Sequence, residues 1–254
     1  MAEDFIAIVP ARMHSTRLPR KALAMIGDYP LVIHSAMRAR ESGAQRVIIA
    51  TDHSDILELA KQYQVECVLT REDHLTGTDR LAEATHILGL DDDQIVVNVQ
   101  GDEPLIEAMV IRRVVNRLID SPDAVMSSAC YPIDDFNHFI NSNSVKVVLN
   151  QRQEAMYFSR SAIPFDRDSK NSALPKTMKA WHHMGLYAYR CGFLKQYQSL
   201  RPVTLELTES LEQLRVLWYG YRIAMEITEQ APLPGVDTVE DLERVRQWFA
   251  GHGK

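Results

Sequence analysis

The chain has 254 residues, a formal net charge of −6, 46% hydrophobic and 24% charged residues. That length suffices for one large α/β domain or two small ones, and an acidic balance with a pI near 5.8 argues against a dedicated nucleic-acid binder, which shows a basic face. Cys67, Cys130 and Cys191 are odd in number and form no CxxC, so they give no disulfide framework and point to a reducing cytoplasm. The N-terminus carries acids where a secretory signal carries bases, and no apolar run reaches the length of a membrane span. The expectation is a soluble cytoplasmic enzyme with no membrane insertion and no nucleic-acid partner.

In chain order, FIAIV (5–9) predicts a buried strand. PLVIHSAMRARESG (30–43) has helical spacing and ends at Gly43, a suitable C-cap. RVIIATD (46–52) predicts a second strand, Ser54 an N-cap for DILELAKQYQ, and ECVLT (66–70) a third strand. A helix over 80–90 and a strand over 94–102 follow. Continuous apolar strands alternating with helices predict βαβ units and a doubly wound, mostly parallel sheet. From about residue 124 strands dominate: AVMSSACYPI, SVKVVLN, EAMYFSR and GLYAYR. A helix over 210–220, a strand over 222–228 and a helix over 238–250 resume the first pattern. The expectation is one α/β domain over 1–254, with a strand-rich subregion at about 124–220 and a polar mobile loop at 165–180.

PARMHSTRLPRK (10–21) follows the first strand and holds Arg12, Arg17, Arg20 and Lys21. Ligands of open α/β sheets bind beyond the carboxyl ends of strands, and arginine grips phosphate oxygens in a bidentate way. The stretch therefore reads as a phosphate loop, against the plainer alternative of a solvated basic turn. No GxxxxGKS/T and no GxGxxG are present. VVNVQGDEPLI places Asp102 at a strand end, suited to Mg²⁺ beside phosphates. Asp237 is either a second ligand or the cap of the last helix, a role that Thr238 with Asp241 could take instead. Asp91, Asp92 and Asp93 precede their strand and read as a solvated turn rather than a metal motif.

Pro10-Ala11-Arg12, Ser15, Arg17-Leu18-Pro19 and Lys21 resemble the PARxxSxRLPxK start of the CMP-Kdo synthetase family, cytidylyltransferases that activate 3-deoxy-manno-octulosonate (Kdo). The resemblance continues through VIIATD, GTDRLAE, VVNVQGDEPLI, VKVV, YFSRSAIPFDRD, HMGLYAYR, ESLEQLRVLW and GVDTVEDL. It implies a Rossmann-like nucleotidyltransferase fold of the glycosyltransferase-A type, with a smaller strand-rich insertion for sugar binding and dimerisation. It also implies the reaction of CTP with Kdo to give CMP-Kdo and pyrophosphate, with Mg²⁺ as cofactor. Arg12, Lys21, Asp102 and Asp237 would be catalytic, and Asp102 and Asp237 would hold the metal. Ala11, Arg12, Arg17, Lys21, Thr76, Gly77, Thr78, Arg80, Asn98 and Gln100 would bind the nucleotide. Gln100, Arg160, Arg167, His183, Tyr187, Glu212 and Gln213 would bind the sugar. The resemblance further implies a homodimer in lipopolysaccharide synthesis, with metal activation of the sugar hydroxyl in place of a side-chain base.

Four departures stand out. Arg20 occupies a position usually glycine, Thr76 one usually serine, NSNSVKVV replaces NPNAVKV, and His182 stands where arginine is usual. The rival readings are a cytidylyltransferase for 8-amino-Kdo or a sialic acid, a metal-dependent glycosyltransferase, and a non-catalytic nucleotide-binding regulator. Sialic-acid enzymes usually carry a KN pair after the PAR start, whereas Ala22 follows Lys21 here.

Overall fold

The computed structural model describes residues 4–74, 76–168, 173–176 and 178–252. Its elements run β1 (Phe5–Ala11), β2 (Met25–Ile26), β3 (Tyr29–Pro30), α1 (Leu31–Glu41), β4 (Arg46–Thr51), α2 (Ser54–Gln62), β5 (Glu66–Leu69), α3 (Gly77–Ile87), β6 (Ile95–Asn98) and α4 (Ala108–Ile119). They continue as β7 (Met126–Pro132), α5 (Phe136–Ile140), β8 (Lys146–Leu149), β9 (Ala155–Ser159), β10 (Trp181–Arg190), α6 (Cys191–Tyr197), α7 (Thr204–Glu209), α8 (Gln213–Trp218), β11 (Ile223–Ile227) and α9 (Val239–His252). The fold is α/β with mostly parallel strand pairing, and a separate two-stranded antiparallel hairpin, β2–β3, lies apart from it.

The chain forms two compact units. The first takes the chain up to Arg112, Arg190–Gln198 and Pro232 onward; the second takes Arg113–Tyr189 and Ser199–Ala231. In the first, β6, β1, β4 and β5 lie side by side and parallel, with Ile8 opposite both Ile48 and Asn98. Residues 5–9 are all buried, as expected of a strand covered on both faces, where β-branched Ile6, Ile8 and Val9 pack well. Parallel pairing sends the loops after β1, β4, β5 and β6 to one edge, and the candidate site is built there.

In the second unit β11 pairs parallel with β7, and β7, β10, β8 and β9 continue antiparallel. Burial pushes His183 down to about 3. His182 falls to about 4 through burial, with the His138 and Lys146 charges adding to it. Both histidines are therefore neutral in the native state near pH 7. Below an unfolded value of about 6.5 the unfolded chain takes up protons that the native state refuses. Stability is accordingly expected to fall as pH drops from about 6.5 toward about 4, by up to about 1.4 kcal/mol per pH unit for each histidine. Urea midpoints across that range check this, and His183→Gln should flatten the slope.

Several local expectations are corrected. Helix α2 is capped by His53, whose Nδ1 accepts from the Asp55 N–H, rather than by Ser54, which is already helical. The strand expected over 94–102 ends at Asn98. The helix expected over 210–220 is helical only over Gln213–Trp218, because Ser210 adopts the left-handed conformation that ends α7. Of the loop expected over 165–180, residues 169–172 and 177 lie outside the described residues; the rest holds no helix or strand. The Asp91–Asp93 turn supports α6: Asp92 pairs with Lys195 at 2.7 Å, and its carbonyl accepts from the Gly192 N–H.

Candidate active site

The loop after β1 is anchored by its two apolar residues. Met13 is buried and its N–H donates to Asp52 Oδ1 at 3.0 Å. Leu18 joins a core cluster with Ile26, Leu31, Leu105, Val236, Leu242 and Val245. With these turned inward, Arg12 and Arg17 are left exposed at the cavity. A 3-10 turn, Lys21–Leu23, then brings Lys21 to the edge of the sheet.

Arg20 keeps the backbone that a glycine would supply, with φ 56° and ψ 31°. Its guanidinium reaches Asp55 at 3.0 Å and is not part of the cavity lining. A left-handed non-glycine residue costs about 1 kcal/mol, so Arg20→Gly is expected to relieve the backbone and leave the KM for CTP within about twofold of its starting value. A CTP titration at saturating sugar checks this.

The loop after β6 brings in the first carboxylate. Gly101 allows it to approach β1, since a Cβ there would lie 2.7 Å from the Pro10 carbonyl oxygen. Asp102 accepts from Lys21 Nζ at 2.6 Å. The second carboxylate arrives from far along the chain. The Val236 N–H donates to the Asp102 carbonyl at 2.8 Å, and Gly235 fits because a Cβ there would meet that same oxygen at 3.0 Å. Thr238 and Asp241 exchange capping hydrogen bonds at the start of α9. Asp237 is thereby free to accept from Lys21 Nζ at 3.1 Å and to pair with Arg17 at 3.1 Å. Beside Asp102, burial foremost and the Asp102 charge second push Glu103 up to about 7.

The third wall is the start of α3. Thr76 and Asp79 form a capping box, and Thr76, Gly77 and Arg80 line the cavity. Arg80 is buried, bonding Asp52 Oδ2 at 3.0 Å and Thr70 Oγ1 at 2.6 Å. The resulting cavity is about 360 Å³ and is lined by Pro10, Ala11, Arg12, Ser15, Thr16, Arg17, Lys21, Ala22, His74, Thr76, Gly77, Arg80, Gln100, Gly101, Asp102 and Asp237. Of the expected nucleotide residues, Thr78 and Asn98 are buried outside that lining. The amide of Asn98 is fully buried, and neither of its polar atoms has a hydrogen-bond partner among the described residues. Asp52, which holds Met13 and Arg80, and His74, which lines the cavity, belong to no site role implied by the sequence. The partners of Asp52 are remote in sequence; His74, in the short run before Thr76, is bonded to Glu83, nine residues on.

The expected sugar residues other than Gln100 fall in the second unit. His183 Nε2 is 2.9 Å from Ser128 Oγ, and Tyr187 donates to Gln213 Oε1 at 3.3 Å. Gln213 Nε2 in turn lies 3.5 Å from His183 Nδ1, so these three form one buried polar cluster. Glu212 precedes it as the N-cap of α8. Arg160 stands apart from the cluster, its guanidinium donating to the Glu209 and Ser142 carbonyls at 2.7 and 3.1 Å. Arg167 is exposed.

Comparison with known proteins gives a consistent result. The sequence profile described as Cytidylyltransferase matches residues 6–227. A 3-deoxy-manno-octulosonate cytidylyltransferase from Polynucleobacter necessarius subsp. necessarius (strain STIR1) is 51% identical over 249 residues, 98% of this chain and 97% of that one. A solved structure of CMP:2-keto-3-deoxy-manno-octonic acid synthetase complexed with CTP superposes with a TM-score of 0.90 at 35% identity, covering 98% of this chain and 100% of that one. A cytidylyltransferase from Leptospira borgpetersenii serovar Hardjo-bovis (strain JB197) shares the fold, with a TM-score of 0.62 at 17% identity over 98% of this chain and 88% of that one.

Proposed function

The chain belongs to the cytidylyltransferase family, and we propose that the cavity of the first unit is where it joins CTP to Kdo, forming CMP-Kdo and releasing pyrophosphate. The observation that carries this reading is the convergence on Lys21 Nζ of two carboxylates, 81 and 216 residues away in sequence, beside a loop of further cations. Attack of the anomeric hydroxyl on the α-phosphorus requires positioning and charge neutralisation rather than a covalent enzyme intermediate. Arg12, Arg17 and Lys21 hold the triphosphate and offset the charge that grows on the departing pyrophosphate. Of the residues that the resemblance implies for the sugar, Gln100 lines this cavity; in the second unit Arg160, Arg167 and His183 are the candidates for the sugar carboxylate, and Tyr187, Glu212 and Gln213 for its hydroxyls.

Mg²⁺ fits the donor set. Asp102 and Asp237 offer oxygen ligands only, they already share one cationic centre, and both open to the cavity; Mg²⁺ is bound by one or two carboxylates together with phosphates and waters. These two residues would hold it, and when bound it supplies Lewis acidity toward a phosphoryl or hydroxyl oxygen.

A homodimer in the cytoplasm, serving lipopolysaccharide synthesis, belongs to the same reading. In that reading Trp218, Leu207 and Met156 of the second unit, 61%, 64% and 61% exposed, are candidates for the dimer contact. No helix of the described residues is long and apolar enough to cross a membrane.

The test is pyrophosphate release with Mg²⁺, each of the four NTPs, and Kdo, 8-amino-Kdo or N-acetylneuraminate. Turnover confined to CTP with Kdo is expected; turnover with neuraminate alone would overturn the reading.

A further inference from the structure

His74 lies outside every motif position assigned above, yet its imidazole lines the cavity while only 4% of its side chain is exposed. Its Nε2 lies 2.5 Å from Glu83 Oε2, and the same oxygen accepts the Arg71 N–H at 2.9 Å. Burial pushes Glu83 up, but these two hydrogen bonds and the nearby Arg71 charge outweigh it and hold the carboxyl below the usual carboxylate range. An ionised carboxylate can only accept, so Nε2 carries a proton toward Glu83, and the tautomer this fixes keeps its lone pair on Nδ1.

Arg12, Arg17, Lys21, Asp102 and Asp237 make one end polar enough for phosphates and a divalent cation. Ala11, Thr76, Gly77 and Arg80, which the resemblance assigns to the nucleotide, line the same cavity together with Pro10 and His74. Three side chains among these carry polar atoms. The Thr76 hydroxyl both donates to and accepts from Asp79 in the cap of α3. The Arg80 guanidinium is engaged by Asp52, Thr70 and the Arg71 carbonyl. Of these three side chains, His74 alone retains an acceptor, Nδ1, with no hydrogen-bond partner among the described residues. Cytosine and uracil differ at position 4, where cytosine carries an amino donor and uracil a carbonyl acceptor. A fixed acceptor favours the first and faces the second lone pair to lone pair.

We propose that His74, held in one tautomer by Glu83, is a specificity-determining residue that reads the exocyclic amino group of the nucleobase and so selects CTP over UTP. Glu83 is then a positioning residue that acts through His74. This rests on the reading of the cavity as the CTP site.

The experiment measures kcat/KM for CTP and for UTP, by pyrophosphate release with Kdo, in the unaltered protein, His74→Ala and Glu83→Gln. A site built to hydrogen-bond a group discriminates strongly against the analogue lacking it, so H74A is expected to lower the CTP-over-UTP preference by about tenfold or more. E83Q is expected to lower it less, because an amide can donate or accept and releases the tautomer. The preference is a ratio within one preparation, so a loss of folded protein cancels out of it. A preference unchanged in H74A, whether or not both rates fall together, overturns the proposal. Absence of CTP turnover in the unaltered protein would instead overturn the assigned reaction.

Discussion

Lys21→Met is expected to lower kcat/KM for CTP by about 10²- to 10³-fold, the loss typical of removing one preorganised electrostatic stabiliser. Lys21 is 16% exposed at its side chain and bridges Asp102 and Asp237 at 2.6 and 3.1 Å. A thioether there keeps the apolar stem and deletes the charge, so the two carboxylates face the cavity without their shared counterion. Lys21→Arg should recover little, because a planar fork does not reproduce one compact ammonium between two acceptors. Steady-state rates with CTP varied check both variants. A K21M protein with native circular dichroism and undiminished kcat/KM would exclude Lys21 from the chemistry.

The second large effect concerns stability. Asp52 and Arg80 form an ion pair with side chains only 9% and 5% exposed. Asp52→Ala leaves the Arg80 charge buried and uncompensated, which costs about 3–5 kcal/mol and lowers Tm on the order of 10 °C for a chain of this size. The same substitution frees the Met13 N–H from its only carboxylate among the described residues, so weaker CTP binding should accompany the lower Tm. The double variant D52A/R80M should regain part of the stability, since replacing both charges removes the unpaired one. Thermal melts of the three proteins decide this. A D52A variant melting within about 2 °C of the unaltered protein would show that the pair is relaxed by water.

The legibility of this molecule follows the range of the interactions. Strands β1, β4 and β5 are readable because buried parallel strands are short apolar runs closed by polar residues. The capping role of Thr238 and Asp241 is equally local, and it identifies Asp237 as the carboxylate left over. Helix α4 escaped notice although its sequence, AMVIRRVVNRLI, is amphipathic. Val110, Ile111, Val114 and Val115 are β-branched and carry a strand signal, and no Ser, Thr, Asp or Asn stands at its start. Sequence leaves Arg20 open between a phosphate contact and solvent; its left-handed backbone and its contact with Asp55 place it outside the cavity lining. Asp52 was invisible for a different reason: a buried ion pair spanning 28 residues leaves no periodic trace in sequence. The loop after β1 shows both sides. Its four cations are obvious, whereas the positions that orient them, Met13 and Leu18, look ordinary until packing is seen.

The Val236 N–H bond to the Asp102 carbonyl also has a consequence for how the protein is made. Chains emerge from synthesis N-terminal end first, and domains fold as units. The basic loop and Asp102 are therefore translated more than a hundred residues before Asp237, and a nascent or truncated chain ending before Pro232 holds the cations with only half of their acidic counterpart. Completion of the polypeptide is thus a condition for bringing both carboxylates to Lys21, and a chain ending before Pro232 is expected to be inactive.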